Sequence, residues 1–314
     1  MARYASILDL IGNTPLVDIS NLSPEPGVKI LAKLEGQNPG GSSKDRIALK
    51  MVQLAERDGV LQPGDTILEP SSGNTGIGLA LVAKLRGYGL RIIMPENVSI
   101  ERRQLLEIFG AEITLSPGEE GSNGAIRMAE KIAAENPNYR FLFQYGNPAN
   151  PLAHYEGTGP EILNDCPEID VFVAGLGTSG TLMGVGRYMR EHKPSVKIVA
   201  VEPPAGELVQ GLRNLDDGFI PPIFDGDYLT GKTVVRPEKS IEATRRLLNE
   251  CGVFAGISSG AAVFGALKYI KQSQMTSGAV VVLLPDGGWK YLSSGAWTDD
   301  LDVVVERATR INYW

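Results

Sequence analysis

Cysteine and histidine are nearly missing from this chain of 314 residues, which has two of each. Cys166 and Cys251 are too few for a disulfide framework, and His154 and His192 do not stand at a metal-ligand spacing. A disulfide-stapled domain and a metal-centred enzyme are therefore not expected. No apolar run is long enough to cross a bilayer, and the amino terminus has neither an apolar signal segment nor an arginine-rich amphipathic one. These absences point to a cytoplasmic protein. Positive charge is the minority sign: 30 Lys and Arg against 37 Asp and Glu leave a formal charge of −7. That balance offers no general attraction to nucleic acid or an anionic membrane, so a small-molecule partner is the expectation. What the chain does have is length and 43% apolar residues, enough for a large core in two domains or in one elaborated α/β unit.

Strand-like apolar runs at 66–69, 90–94, 111–115, 171–175, 196–201 and 279–284 are separated in several places by amphipathic stretches, as at 44–57, 75–86, 99–109 and 180–191. This βα alternation predicts mostly parallel sheets with helices on both faces. Gly146, Asn147, Pro148, Pro151 and Gly157 cluster where a division between two α/β layers is expected. There is no internal repeat, low-complexity tract or regular heptad.

Three polar motifs carry the chemistry. Ser42-Ser43-Lys44-Asp45 sets a lysine at the mouth of the helix predicted over 44–57, and Ser71-Ser72-Gly73-Asn74-Thr75-Gly76 makes a turn dense in hydroxyls, amides and N–H donors. An amine suited to a carbonyl and a cradle suited to a carboxylate suggest pyridoxal-phosphate chemistry on an amino acid, with Lys44 as the Schiff-base lysine. The third motif, Val-Phe-Val-Ala-Gly-Leu-Gly-Thr-Ser-Gly at 171–180, also satisfies the dinucleotide spacing, and Glu202 closes the following run, so a nicotinamide dehydrogenase has to be weighed. Glycines that admit an anion to the backbone and to a helix amino terminus serve either reading. The hydroxyl content of Gly177-Thr178-Ser179-Gly180-Thr181 suits a terminal phosphate better than a pyrophosphate bridge. In Gly256-Ile257-Ser258-Ser259-Gly260 a serine can cap the helix that follows, or Ser258 can face a pyridine nitrogen. A hydroxyl there does not force protonation of the ring, which favours elimination at the β carbon over transamination.

Together with Ile11-Gly12-Asn13-Thr14-Pro15-Leu16 and Ser43-Lys44-Asp45-Arg46, these motifs resemble the cysteine synthase and cystathionine β-synthase family, the fold type II pyridoxal-phosphate enzymes (tryptophan synthase β-like), from about residue 6 to about residue 298. The resemblance implies a smaller α/β domain at 40–146, a larger one formed by 1–39 and 147–314, pyridoxal 5'-phosphate in the cleft between them, and a homodimer. It implies Lys44 as the catalytic, cofactor-bearing lysine, Asn74 beside the cofactor's phenolic oxygen, Gly177, Thr178, Ser179, Gly180 and Thr181 around its phosphate, and Ser258 at its ring nitrogen. Ser71, Ser72, Thr75 and Gln144 then match the groups that grip the substrate carboxylate. The implied reaction is β-replacement, in which a leaving group departs from a serine ester and a sulfur nucleophile takes its place. Gly211-Leu212-Arg213-Asn214, Asp216-Asp217-Gly218-Phe219 and Gly288-Trp289-Lys290-Tyr291-Leu292-Ser293-Ser294-Gly295 look like the branch that uses O-phosphoserine and a thiocarboxylated sulfur-carrier protein, with Arg213 on the substrate phosphate. The bland role for Arg213 is a surface pair with Asp216 or Asp217. O-acetylserine sulfhydrylase and cystathionine β-synthase are the rivals, with a threonine-deaminating relative and a catalytically idle scaffold behind them. The tail at 310–314 is expected either to enter the cleft and shield the reacting centre or to pack or fray at the surface.

Overall fold

The computed structural model describes residues 3–71 and 73–310, so Ser72 and the tail residues 311–314 lie outside the described residues together with the roles expected of them. The strands run β1 (Leu16–Asp18), β2 (Val28–Leu34), β3 (Thr66–Pro70), β4 (Gly89–Pro95), β5 (Glu112–Ser116), β6 (Tyr139–Phe141), β7 (Ile169–Gly175), β8 (Lys197–Glu202), β9 (Gly231–Val234) and β10 (Gly278–Leu284). They form a six-stranded sheet in the order β1-β2-β10-β7-β8-β9 and a four-stranded sheet in the order β5-β4-β3-β6. Every pairing is parallel except that of β1 with β2.

Helices cover both faces, as parallel strands require. They are α1 (Lys44–Arg57), α2 (Asn74–Arg86), α3 (Ile100–Phe109), α4 (Gly121–Glu135), α5 (Ala149–Ala153), α6 (Gly159–Asp165), α7 (Gly180–His192), α8 (Pro237–Cys251), α9 (Ile257–Gln272) and α10 (Leu301–Arg310). Alternation along β7 shows how one strand serves two cores. Val171 and Val173 pack with Ile241 and Leu247 of α8 and Ala262 and Ile270 of α9, while Phe172 and Ala174 pack with Leu182 and Val185 of α7 and Ile162 of α6. The smaller sheet is covered likewise: Ile67 and Ile92 meet Ile47 of α1 and Leu79 of α2, and Leu68 and Ile93 meet Ala125 and Ala129 of α4.

Periodicity located α1 at its observed bounds and placed β3, β4, β7, β8 and β10 within two residues. It passed over β2, where Lys29 and Lys33 interrupt the apolar run. Lys33 is fully buried because its ammonium donates to Thr14 O at 2.6 Å and pairs with Glu161 Oε2 at 2.8 Å. It belongs to a charge-balanced quartet. The Arg46 guanidinium donates to Glu35 Oε2 at 2.7 Å and Oε1 at 2.9 Å, and to Glu161 Oε1 at 2.6 Å and Oε2 at 2.7 Å. The Thr14 hydroxyl donates to Glu35 Oε1 at 2.6 Å, and Asn13 N–H to Glu161 Oε1 at 3.0 Å. The 11–16 motif is thereby tied to α1 and α6. Burial alone would raise the Glu161 carboxyl, but the hydrogen bonds and charges of Arg46 and Lys33 hold it down at about 2.

Removing one partner of a buried pair strands the other's charge. Arg46→Met is therefore expected to destabilise the protein by about 3–5 kcal/mol, read from the denaturant midpoint. Because the folded-state Glu161 lies below its unfolded value near 4.5, its contribution is complete above that pH and is lost as pH falls toward 2. Glu161→Gln should flatten the wild type's loss of stability in that acid window, and an unaltered acid-unfolding profile would contradict the assignment.

Candidate active site

A cleft of about 130 Å³ opens at the carboxyl ends of strands from both sheets, where Ser71 follows β3, Gly177 follows β7 and Pro285 follows β10. This is where open parallel sheets bind ligands, because strand ends and helix amino termini converge there. Lys44, the first residue of α1, lines it, with Nζ donating to Ser43 Oγ at 3.2 Å. Burial lowers the pKa of its amine, against the opposing pull of Asp286 and Glu35.

The turn after β3 forms the second wall. Ser71 Oγ accepts the N–H groups of Gly73 at 3.3 Å and Gly76 at 3.1 Å, bracing the loop from within. Thr75 Oγ1 donates to Gln144 Oε1 at 2.6 Å, so the motif at 71–76 and the distant Gln144 meet. Behind Gln144 stands Glu69, fully buried, which accepts the N–H of Phe143 at 2.8 Å and of Gln144 at 2.9 Å. Burial raises its carboxyl to about 8 in spite of those two donors. Asn74 donates through Nδ2 to Asp286 Oδ2 at 2.8 Å and accepts from Lys290 Nζ at 2.7 Å.

The third wall is the turn from β7 into α7. A Cβ at Gly177 would lie 2.7 Å from Gly211 O, and one at Gly180 would lie 1.8 Å from Asn150 Oδ1, so both glycines are needed for backbone and side-chain proximity. Ser179 sits in the left-handed region at φ 71°, ahead of the first helical N–H groups, and its buried Oγ has no hydrogen-bond partner among the described residues. An uncommon conformation and an orphaned hydroxyl at a helix amino terminus are what an absent anion would leave behind. Thr178 Oγ1 accepts from Asn150 Nδ2 at 3.0 Å, and Thr181 Oγ1 meets His154 Nε2 at 3.1 Å. Burial, with Arg46 and Lys44 nearby, holds the His154 pKa well below the usual imidazole value, so it stays neutral. Ser258, in the first turn of α9, lines the floor and is 4% exposed.

A family model described as "Pyridoxal-phosphate dependent enzyme" matches residues 7–286. A cysteine synthase of Staphylococcus aureus is 44% identical over 305 residues, which cover 94% of this chain and 97% of that one. The chain belongs to the pyridoxal-phosphate dependent enzymes, in their cysteine synthase group. Among solved structures, a cysteine synthase (OASS) from Entamoeba histolytica superposes with a TM-score of 0.89 at 35% identity, covering 97% of this chain and 96% of that one. An O-ureido-L-serine synthase does so with a TM-score of 0.89 at 39% identity, covering 94% and 96%. The fold is therefore fold type II, and pyridoxal 5'-phosphate is the cofactor.

The residues present fit that group: an amine of lowered pKa for its aldehyde, an anion cradle at Gly177–Thr181 for its phosphate, and a hydroxyl at Ser258. Of the residues singled out from sequence and described here, Lys44, Ser71, Asn74, Thr75, Gln144, Gly177, Thr178, Ser179, Thr181, Arg213 and Ser258 line one cleft, while Gly180 sits behind it against Asn150. Glu202, which closes the run after the dinucleotide-like motif, is paired with Lys232 at 2.9 Å and does not line the cleft. Glu69, Asp286, Lys290 and Arg102 were not anticipated. Glu69 ends an ordinary strand pattern, and Lys290 lies in the 288–295 segment that carries the branch resemblance, with no role of its own expected there.

Gly177→Ala forces a side chain against backbone that cannot rotate away. The expected result is an unchanged fold with cofactor affinity lowered roughly ten-fold or more, equivalent to about 1.4 kcal/mol. Titration of the apoprotein with pyridoxal 5'-phosphate, followed by absorbance, measures it.

Proposed function

We propose that this enzyme makes L-cysteine by β-replacement on O-phosphoserine, with sulfide or a thiocarboxylated sulfur-carrier protein as sulfur donor. The observation that carries the choice of ester is Arg213. It lines the cleft at 8% exposure, with its guanidinium 4.5 Å above the ring of Phe219 and 5.4 Å above that of Tyr145. A guanidinium held among aromatic rings in a cleft suits a phosphate, which it can grip with two parallel hydrogen bonds.

The cofactor supplies an aldehyde for the amino group and a ring that withdraws electrons from the α carbon. Lys44 would hold that aldehyde and would be the base placed to take the α proton; burial, which lowers the pKa of its amine, favours the neutral form that both tasks need. Ser71, Ser72, Thr75 and Gln144 hold the substrate carboxylate, which fixes the α carbon within reach of Lys44. Asn74 would donate to the cofactor's ring oxygen, Gly177–Thr181 would bind its phosphate, and Ser258 would serve its ring nitrogen. We further read the chain as a smaller unit of residues 40–146 and a larger one of 1–39 and 147–314, assembled as a homodimer. The four-stranded sheet, whose strands fall between Thr66 and Phe141, supports that division.

An O-acetylserine enzyme is the second reading, favoured by the likeness to the Entamoeba histolytica cysteine synthase (OASS). Arg213→Ala separates the two. Loss of one member of a desolvated charge pair costs about 2–5 kcal/mol, or roughly 30-fold to several thousand-fold in kcat/KM. The loss should fall on O-phosphoserine and spare O-acetylserine. Equal losses, or a wild type that ignores O-phosphoserine, would transfer the assignment to the acetyl ester. Lys44→Ala should fold, abolish turnover and leave no cofactor fixed to the chain by borohydride; wild-type turnover would remove Lys44 from its role.

A further inference from the structure

The turn after β10 carries a cation that the reaction just described does not use. Lys290, in the short helical turn Gly288–Ser294, has none of its surface exposed. Its ammonium donates to Asn74 Oδ1 at 2.7 Å, Gly40 O at 2.9 Å and Gly41 O at 3.2 Å, which uses all three of its N–H groups. The approach is built into the backbone. Gly41 has φ +80°, and a Cβ there would lie 2.5 Å from the Trp289 ring and 3.4 Å from Lys290 Nζ. Asn74 Nδ2 donates to Asp286 Oδ2, which also accepts the Tyr291 hydroxyl at 2.5 Å. The carboxamide is thus held by a cation at its oxygen and an anion at its nitrogen. It cannot flip, and one N–H remains for the cleft that Asn74 lines.

We propose that Lys290 is a positioning residue which, through Asn74, sets the charge carried by the cofactor's ring oxygen. A cation on the amide oxygen draws electron density from the nitrogen, so the remaining N–H becomes a stronger donor, and a stronger donor favours the anionic form of the oxygen it faces. The inference rests on the proposed place of Asn74 beside that oxygen. The groups around Lys290 are Asp45 and Lys44 from α1, Arg102 from α3, and Asp286 and Tyr291 of its own segment. Burial lowers its pKa to about 8, with Asp286 and Asp45 opposing, so its charge and its effect should fade as pH rises through that value.

The test uses Lys290→Met and Lys290→Gln, each alone and combined with Asn74→Ala, reconstituted with pyridoxal 5'-phosphate. Absorbance is recorded across pH, and thermal melting is followed in parallel. For Lys290→Met we expect the visible band to lose intensity to the near-ultraviolet form and its pH midpoint to move by roughly one unit, the scale of a single lost charge interaction. Lys290→Gln, which keeps a donor without the charge, should show a smaller change, and both changes should vanish in the Asn74→Ala background. Spectra that superimpose on the wild type while melting falls, or a shift that persists without Asn74, would overturn the proposal. Should the Met variant not fold, the Gln variant answers by the same comparison. Failure of the underlying reading looks different: the wild type itself would form no visible band and no borohydride-stable link to Lys44, which would overturn both.

Discussion

Arg46 spans one buried and one partly buried carboxylate that belong to distant parts of the chain, and the direction of Lys44 depends on it. Glu35 precedes α1 and Glu161 lies on α6, so the guanidinium fixes the first turn of α1 against both. Two positions along a helix are about 200° apart around its axis. With Arg46 anchored on one side, Lys44 is turned toward the opposite side, where the cleft opens. The same guanidinium helps keep His154 neutral, and His154 in turn meets Thr181 of the anion cradle. A structural ion pair and the proposed catalytic lysine thus share one construction: the contacts that bury Arg46 also set the aim of the Lys44 amine.

The cleft shows why net charge misleads about a site. The chain is acidic overall, yet Lys44, Arg102 and Arg213 all face the cavity. Glu69 is the carboxyl nearest to contradicting that pattern, since it stands directly behind Gln144. Burial raises its pKa while the two backbone N–H groups it accepts oppose that shift. It braces a loop suited to a carboxylate, and the raised pKa weakens the negative charge it would set behind that loop.

Much of this was legible in the sequence because the local rules agree with the tertiary result. The 44–57 amphipathic period, the glycine and hydroxyl pattern of 177–181 and the turn at 71–76 each specify conformation within a few residues, and they fell in one cleft. What escaped depends on partners far along the chain. β2 looked too polar for an inner strand because the groups that neutralise Lys33 are Thr14 and Glu161. The burial of Lys290 was not legible because its acceptors are at Gly40, Gly41 and Asn74. Glu69 gave no signal, since a carboxyl that ends a strand is as often at the surface as inside. Buried polar groups are satisfied by geometry, and geometry of that range has no local signature.

The order of strands has a consequence for synthesis on the ribosome. β2 lies between β1 and β10, so the edge it turns to β10 finds its partner only when the chain has been made beyond Gly278. The strands of the smaller sheet are contiguous, Thr66 to Phe141, and can pair while later residues are still being added. The nascent chain therefore carries an uncovered strand ahead of an already paired sheet through most of translation. Such an edge is a place for chaperones to bind and for neighbouring chains to misjoin.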